Sequence, residues 1–141
     1  MLWGVWDQTV KQEPAPSPGA PQRRGLRVRF DLARCDAPVL YASLSPPWDL
    51  TRVGALATDV YVPADIATNL AVQVSLAAKD VKYQALPMDL KPGWNALRID
   101  LNGAWIVQDA RASVEQLEWR LKAAAPGIAG WVIFGPLRAE T

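Results

Sequence analysis

Leu26-Arg-Val-Arg-Phe-Asp-Leu32 is the stretch whose reading decides the fold. Leu26, Val28, Phe30 and Leu32 fall on one side of an extended chain, with Arg27, Arg29 and Asp31 on the other. A period of two belongs to a strand with one dry face and one wet face. The same alternation recurs along the chain. Leu70, Val72, Val74 and Leu76 alternate with Ala71, Gln73, Ser75 and Ala77, and Leu56-Ala-Thr-Asp-Val-Tyr-Val62 runs into Pro63, which stops a ladder. Gly93 in Pro92-Gly-Trp-Asn95 supplies backbone freedom just before Asn95, Leu97, Ile99 and Leu101 point inward.

Strands are therefore expected near 26–32, 39–44, 56–62, 69–77, 82–87, 95–101, 114–121 and 130–138. Short strands at such spacing define an all-β antiparallel sandwich. Lys79-Asp80 turns the chain into Lys82-Tyr-Gln-Ala-Leu86, a hairpin. The segment 112–125 is ambiguous, because Leu117, Leu121 and Ala124 also fit helical spacing. The strand is preferred there: Leu117, Trp119 and Leu121 alternate with Gln116, Glu118 and Arg120, and the neighbouring elements need a sheet partner. Trp3 to Val10 reads as an opening edge strand. The proline-rich Glu13–Gln22 is too poor in donors for a central strand and reads as a long loop at about 13–22.

The chain has 141 residues, which predicts a single domain over 1–141. A chain of that size buries roughly 68–70% of its unfolded surface in one core. Half of the residues are hydrophobic, which argues against disorder of the whole. A formal charge of +1 gives no broad field for nucleic acid or an anionic membrane, and neither partner is expected. The basic cluster Arg23, Arg24, Arg27 and Arg29 fits a solvated strand edge at least as well as a polyanion site. Cys35 stands alone, so no internal disulfide forms. No apolar run is long enough to cross a bilayer, and Met1–Trp6 is too short and uncharged for a signal peptide. There is no histidine, which removes the commonest general base and zinc ligand and with them most hydrolase readings.

The series Gly25–Asp31, Asp59-Val-Tyr-Val-Pro63, Asn69–Val74, Tyr83-Gln84, Pro92–Leu101 and Gly130-Trp-Val-Ile-Phe134 resembles jelly-roll carbohydrate-binding modules of the galactose-binding-like type. The resemblance covers roughly 25–138. It implies a jelly-roll sandwich that binds polysaccharide or oligosaccharide without chemistry, as a secreted, extracellular, monomeric module covalently linked to a glycoside hydrolase. Such modules often hold a structural calcium, with an aspartate near the start of the final strand. Here Phe134-Gly-Pro-Leu-Arg138 places glycine where that carboxylate would stand, so no metal and no cofactor are expected, although Asp7 or Glu13 remain as possible ligands.

In a jelly roll, strands that alternate in sequence are dealt into two sheets. One sheet would hold 39–44, 114–121, 69–77 and 82–87, the sheet that forms the concave glycan groove in the resembling modules. Its outer face would show Tyr41, Ser43, Gln73, Ser75, Gln116, Glu118 and Arg120, with Tyr83 or Gln84 according to the phase of the last strand. Amides, carboxylates and guanidinium groups suit the donor-and-acceptor hydroxyls of a pyranose. A ring covering roughly 50–100 Å² of its C–H face adds about 1–2.5 kcal/mol. The same polar residues also suit plain solvation, with Glu118 and Arg120 as a surface ion pair. Of the seven tryptophans, Trp119 is in phase with the core, and Trp48 and Trp105 fall in loops as sugar platforms or as plugs of the sandwich ends. An alternative reading is a structural or protein-docking sandwich anchored on Trp48 or Trp105. A glycosidase built on Asp59 and Glu118 is disfavoured, since these carboxylates fall on different sheets.

Overall fold

A computed structural model describes residues 2–5, 11–17, 20–31, 39–66, 70–103, 105–123 and 129–141. Their strands are β1 (Leu2–Val5), β2 (Lys11–Ser17), β3 (Ala20–Asp31), β4 (Val39–Trp48), β5 (Ala55–Val62) and β6 (Leu70–Ala78). The later ones are β7 (Val81–Gln84), β8 (Met88–Leu90), β9 (Gly93–Asp100), β10 (Val114–Ala123), β11 (Ala129–Phe134) and β12 (Arg138–Glu140). A short 3-10 helix, Gln108–Ser113, leads into β10. Of the segment with ambiguous periodicity, 114–123 is thus a strand, Ala112 and Ser113 close the 3-10 helix, and 124–125 lie outside the described residues.

Two antiparallel sheets face one another. The first runs β1-β4-β10-β6-β7, with β8 beside the other half of β6. The second contains β2, β3, β11 and β5 in that order. There β9 follows one side of β5, while β11 and β12 share the other side. This is the jelly-roll arrangement expected from the strand order, and the four strands anticipated for one sheet do share it.

Alternation builds the core. Leu40, Ala42 and Leu44, Val72, Val74 and Leu76, and Leu117, Trp119 and Leu121 point inward from the first sheet. Val28, Phe30, Leu56, Val60, Leu97, Ile99, Val132 and Phe134 meet them from the second. Trp119, 2% exposed, touches Phe134 across the layers with ring centroids 5.5 Å apart. The one hydroxyl in this stripe of β5, Thr58, donates to the Gly135 carbonyl at 3.1 Å, which removes the penalty of a buried polar group.

Three expectations are corrected. The described residues of the stretch expected as a loop, 13–17 and 20–22, lie in β2 and β3, which pair from Lys11↔Arg29 to Pro16↔Arg24, while 18 and 19 lie outside the described residues. Pro14 and Pro16 are two apart, so both missing N–H groups fall on one side of the strand, and β2 stands at the sheet edge where that side needs no partner. The strand expected at 82–87 ends at Gln84, and Ala85-Leu-Pro87 separates β7 from β8, since Pro87 has no donor for a ladder. That expected at 130–138 divides at Gly135-Pro136 into β11 and β12 for the same reason. In the opening segment β1 is a strand to Val5, while Trp6 and Asp7 lie outside the described residues.

Two turns are fixed by backbone chemistry. Lys79 and Asp80 both adopt positive φ, 52° and 66°, the two-residue hairpin turn whose twist matches its strands. Gly93 has φ 92°, which favours glycine, and the Asn95 side chain then clamps the turn. Its Oδ1 accepts from Lys91 N at 2.8 Å, and its Nδ2 donates to the carbonyls of Lys91 (2.8 Å), Gly93 (3.1 Å) and Val60 (3.2 Å).

Candidate functional site

The outer face of the first sheet follows from its register. Ser43, Gln116, Ala77 and Lys82 lie side by side across β4, β10, β6 and β7. The next row is Tyr41, Glu118, Ser75 and Gln84, and the one after it is Val39, Arg120 and Gln73. Strands about 4.8 Å apart make each four-residue row about 14 Å across. Eight of the eleven residues anticipated for a site therefore share one face: Tyr41, Ser43, Gln73, Ser75, Gln84, Gln116, Glu118 and Arg120.

The other three lie elsewhere. The Lys79-Asp80 turn pairs Ala78 with Val81, which puts Gln84 outward and sets Tyr83 opposite inward-facing Leu76. Tyr83 accordingly packs against the core. Trp48 ends β4 and lines a cleft of about 470 Å³ at the end of the sandwich with Leu44, Pro46, Pro47 and Leu137. Trp105 also leans on the core, and its indole N–H donates to the Asp100 carbonyl at 2.7 Å. Both tryptophans are half-buried. Tyr41 is the aromatic ring that the described residues place on the polar face.

Polarity on this face is not uniform. Ser43 and Gln84 are exposed, Tyr41, Gln73, Gln116 and Arg120 are half-buried, and Ser75 and Glu118 are buried. Gln73 Nε2 donates to the Ala85 carbonyl at 2.9 Å, which leaves its Oε1 for other donors. Glu118 does not form the surface pair with Arg120 anticipated above. It pairs instead with Lys82, Nζ standing 3.0 Å from Oε2. Neither carboxylate oxygen nevertheless accepts a well-aligned hydrogen bond. The short distance establishes charge pairing, while the alignment leaves the acceptor capacity unmet. A concavity of about 360 Å³ opens beside this pair, lined by Ser43, Ala77, Asp80, Val81, Lys82, Glu115 and Gln116.

Lys82 was not among the residues anticipated from sequence. The signal that finds it is the two-residue turn, because Ala78↔Val81 closure carries Lys82 to the same face as Gln84.

The described residues do not form a calcium site. Among the described residues no three acidic, cysteine or histidine side chains gather. Gly135 presents an N–H donor, bonded to the Asp59 carbonyl at 2.7 Å, where calcium would need oxygen. Asp7 lies outside the described residues, as does the side chain of Glu13. Asp59 and Glu118 stand on different sheets, and Asp59 pairs with Arg138 at 3.1 Å. They cannot flank one glycosidic bond. Asp49, at the sandwich end, has its carboxyl held below the ordinary carboxylate range by the Thr51 hydroxyl (2.6 Å) and the Thr51 N–H (3.0 Å).

No known family profile matches the chain. No curated protein matches it in sequence. Solved structures do match in fold. A carbohydrate-binding module of family 28, specific for non-crystalline cellulose, superposes with a TM-score of 0.75 at 14% identity, over 99% of this chain and 87% of that one. The family 27 module of Caldicellulosiruptor saccharolyticus, solved with mannohexaose, gives 0.71 at 13% identity, over 98% and 89%. An exo-β-agarase gives 0.73 at 12% identity, over 98% of this chain. The chain spans 23% of that agarase's length. The protein has the jelly-roll fold of carbohydrate-binding modules.

Proposed function

We propose that the protein is a non-catalytic carbohydrate-binding module that takes a polysaccharide or oligosaccharide chain along the outer face of the first sheet. The observation that carries this reading is the three-row array of Ser43, Gln116, Tyr41, Glu118, Ser75, Gln84, Arg120 and Gln73 on adjacent strands. Amide, hydroxyl, carboxylate and guanidinium groups at sheet spacing offer donors and acceptors in alternation, the pattern a hydroxyl-lined chain requires. With Tyr41 as the ring that the described residues place on this face, affinity comes mainly from hydrogen bonds. That predicts a micromolar to millimolar range, about −4 to −8 kcal/mol.

The fold shared with cellulose- and mannan-binding modules supports the class of ligand, though not its identity. The match to one part of an agarase supports a place as one domain, 1–141, within a larger enzyme; a monomeric state and an extracellular setting belong to the proposal. Holding an attached catalytic domain close to polysaccharide raises effective concentration without further chemistry. Trp48 and Trp105 lean on the core, which leaves a protein-docking reading without its expected anchors.

Affinity electrophoresis and calorimetry against β-glucans, xylans and mannans test the proposal. At least one glycan should retard the folded protein, and Arg120→Ala and Gln116→Ala should weaken that retardation. A folded protein that no glycan retards refutes it.

A further inference from the structure

Glu118 is the only buried acidic side chain among the described residues, yet it points away from the core. At 2% exposure, with neither oxygen accepting a hydrogen bond, it carries a desolvation cost that a purely structural residue would be expected to offset. Lys82 supplies charge but not alignment. The path of its side chain explains how. Lys82 stands on the edge strand β7, two strands from Glu118, and β6 presents only Ser75 and Ala77 between them on this face. Those small residues let the lysine stem cross β6 and lay its ammonium 3.0 Å from Oε2.

We infer that Lys82 and Glu118 form a clamp for a single sugar hydroxyl on the outer face of the first sheet, an inference that rests on the carbohydrate-binding reading above. A hydroxyl is both donor and acceptor. Its proton satisfies Glu118 Oε1, and its oxygen faces the Lys82 ammonium. The lysine, 35% exposed on a flexible stem, swings outward to admit it. The clamp therefore distinguishes a free hydroxyl from an ether or O-methyl oxygen, which has no proton for Glu118. It makes Lys82 a specificity residue, although it lies outside the polar set expected from sequence.

The test uses Lys82→Met, Glu118→Gln, their double variant and Lys82→Arg, run in gels containing mixed-linkage β-glucan, xylan or mannan. Thermal unfolding confirms that each is folded. Each single change should weaken retention by the best-bound glycan by roughly tenfold or more, since a hydrogen bond to a charged group is lost. The double variant should bind no worse than the singles, and Lys82→Arg should recover most of the affinity. A merely structural ion pair would shift the unfolding midpoint and leave the affinity of the folded protein unchanged. Should Glu118→Gln fail to fold, Lys82→Met decides alone, because the methionine keeps the stem and removes only the charge. Wild-type retention in folded Lys82→Met, with loss in Arg120→Ala, overturns the clamp and spares the binding face. No retention of the wild-type protein overturns both.

Discussion

Gln73 Nε2 donates to the Ala85 carbonyl at 2.9 Å, and this bond ties the outer face of the first sheet to its broken edge. Ala85 also donates its N–H to the Val74 carbonyl at 3.0 Å, just where β7 gives way to Leu86 and Pro87. The interrupted edge is thus held by one backbone and one side-chain bond. Gln73→Ala removes the second and should lower stability by about 1 kcal/mol. Amide hydrogen exchange should quicken at Gln84 and Ala85 before it changes in β10, as expected for local opening.

Arg111 governs the end of the sandwich. Its guanidinium, 7% exposed, donates to the carbonyls of Leu50 (3.1 Å) and Val53 (2.7 Å) and to Asn102 Oδ1 (3.3 Å). Arg111→Met strands these acceptors and should cost about 3 kcal/mol, read as a lowered unfolding midpoint. Arg111→Lys should recover only part of the loss, because an ammonium lacks the planar fork.

The turn at Pro92–Asn95 offers a separable pair of changes. Asn95→Ala deletes all four bonds of the clamp and should cost about 1–3 kcal/mol. Gly93→Ala meets no atom within 4 Å, so its cost of about 1 kcal/mol is conformational alone. Trp94 is 45% exposed on the other sheet, edge-on to Tyr61 with centroids 5.4 Å apart. Trp94→Ala should leave glycan affinity unchanged, as calorimetry would register.

Asp49 gives a pH-dependent signature. Because Thr51 bonds favour its ionised form, its folded pKa lies below the unfolded value. The associated stabilisation is present above the unfolded pKa and is lost as pH falls through the lowered one. Thr51→Val removes the hydroxyl bond while retaining the backbone N–H. Carboxyl titration by NMR should then show the Asp49 pKa moving upward, toward the ordinary value.

The parts of this architecture legible from sequence were those with local periodicity. Leu26–Leu32, Leu70–Ala77 and Val114–Leu121 announce which side chains turn inward, and the outward set follows by parity. What alternation cannot reveal is how strands pair. The phase of Tyr83 depended on the Lys79-Asp80 turn, and the proline-rich segment became a strand only because β3 lay beside it. The burial of Glu118 and its tie to Lys82 arise from residues far apart in sequence that meet over Ser75 and Ala77. The two loop tryptophans, left open by the sequence between sugar platforms and end plugs, were undecided for a related reason. Trp48 and Trp105 sit near chain reversals, yet both lean inward.

The most direct measurement is an amide chemical-shift map of the protein titrated with the glycan oligomer that binds best. The account predicts a contiguous footprint over Tyr41, Ser43, Gln73, Gln84, Gln116 and Arg120, with β5 and β9 silent. Perturbations gathered instead at Trp48 and Trp105, or around Tyr61 and Trp94, would contradict it.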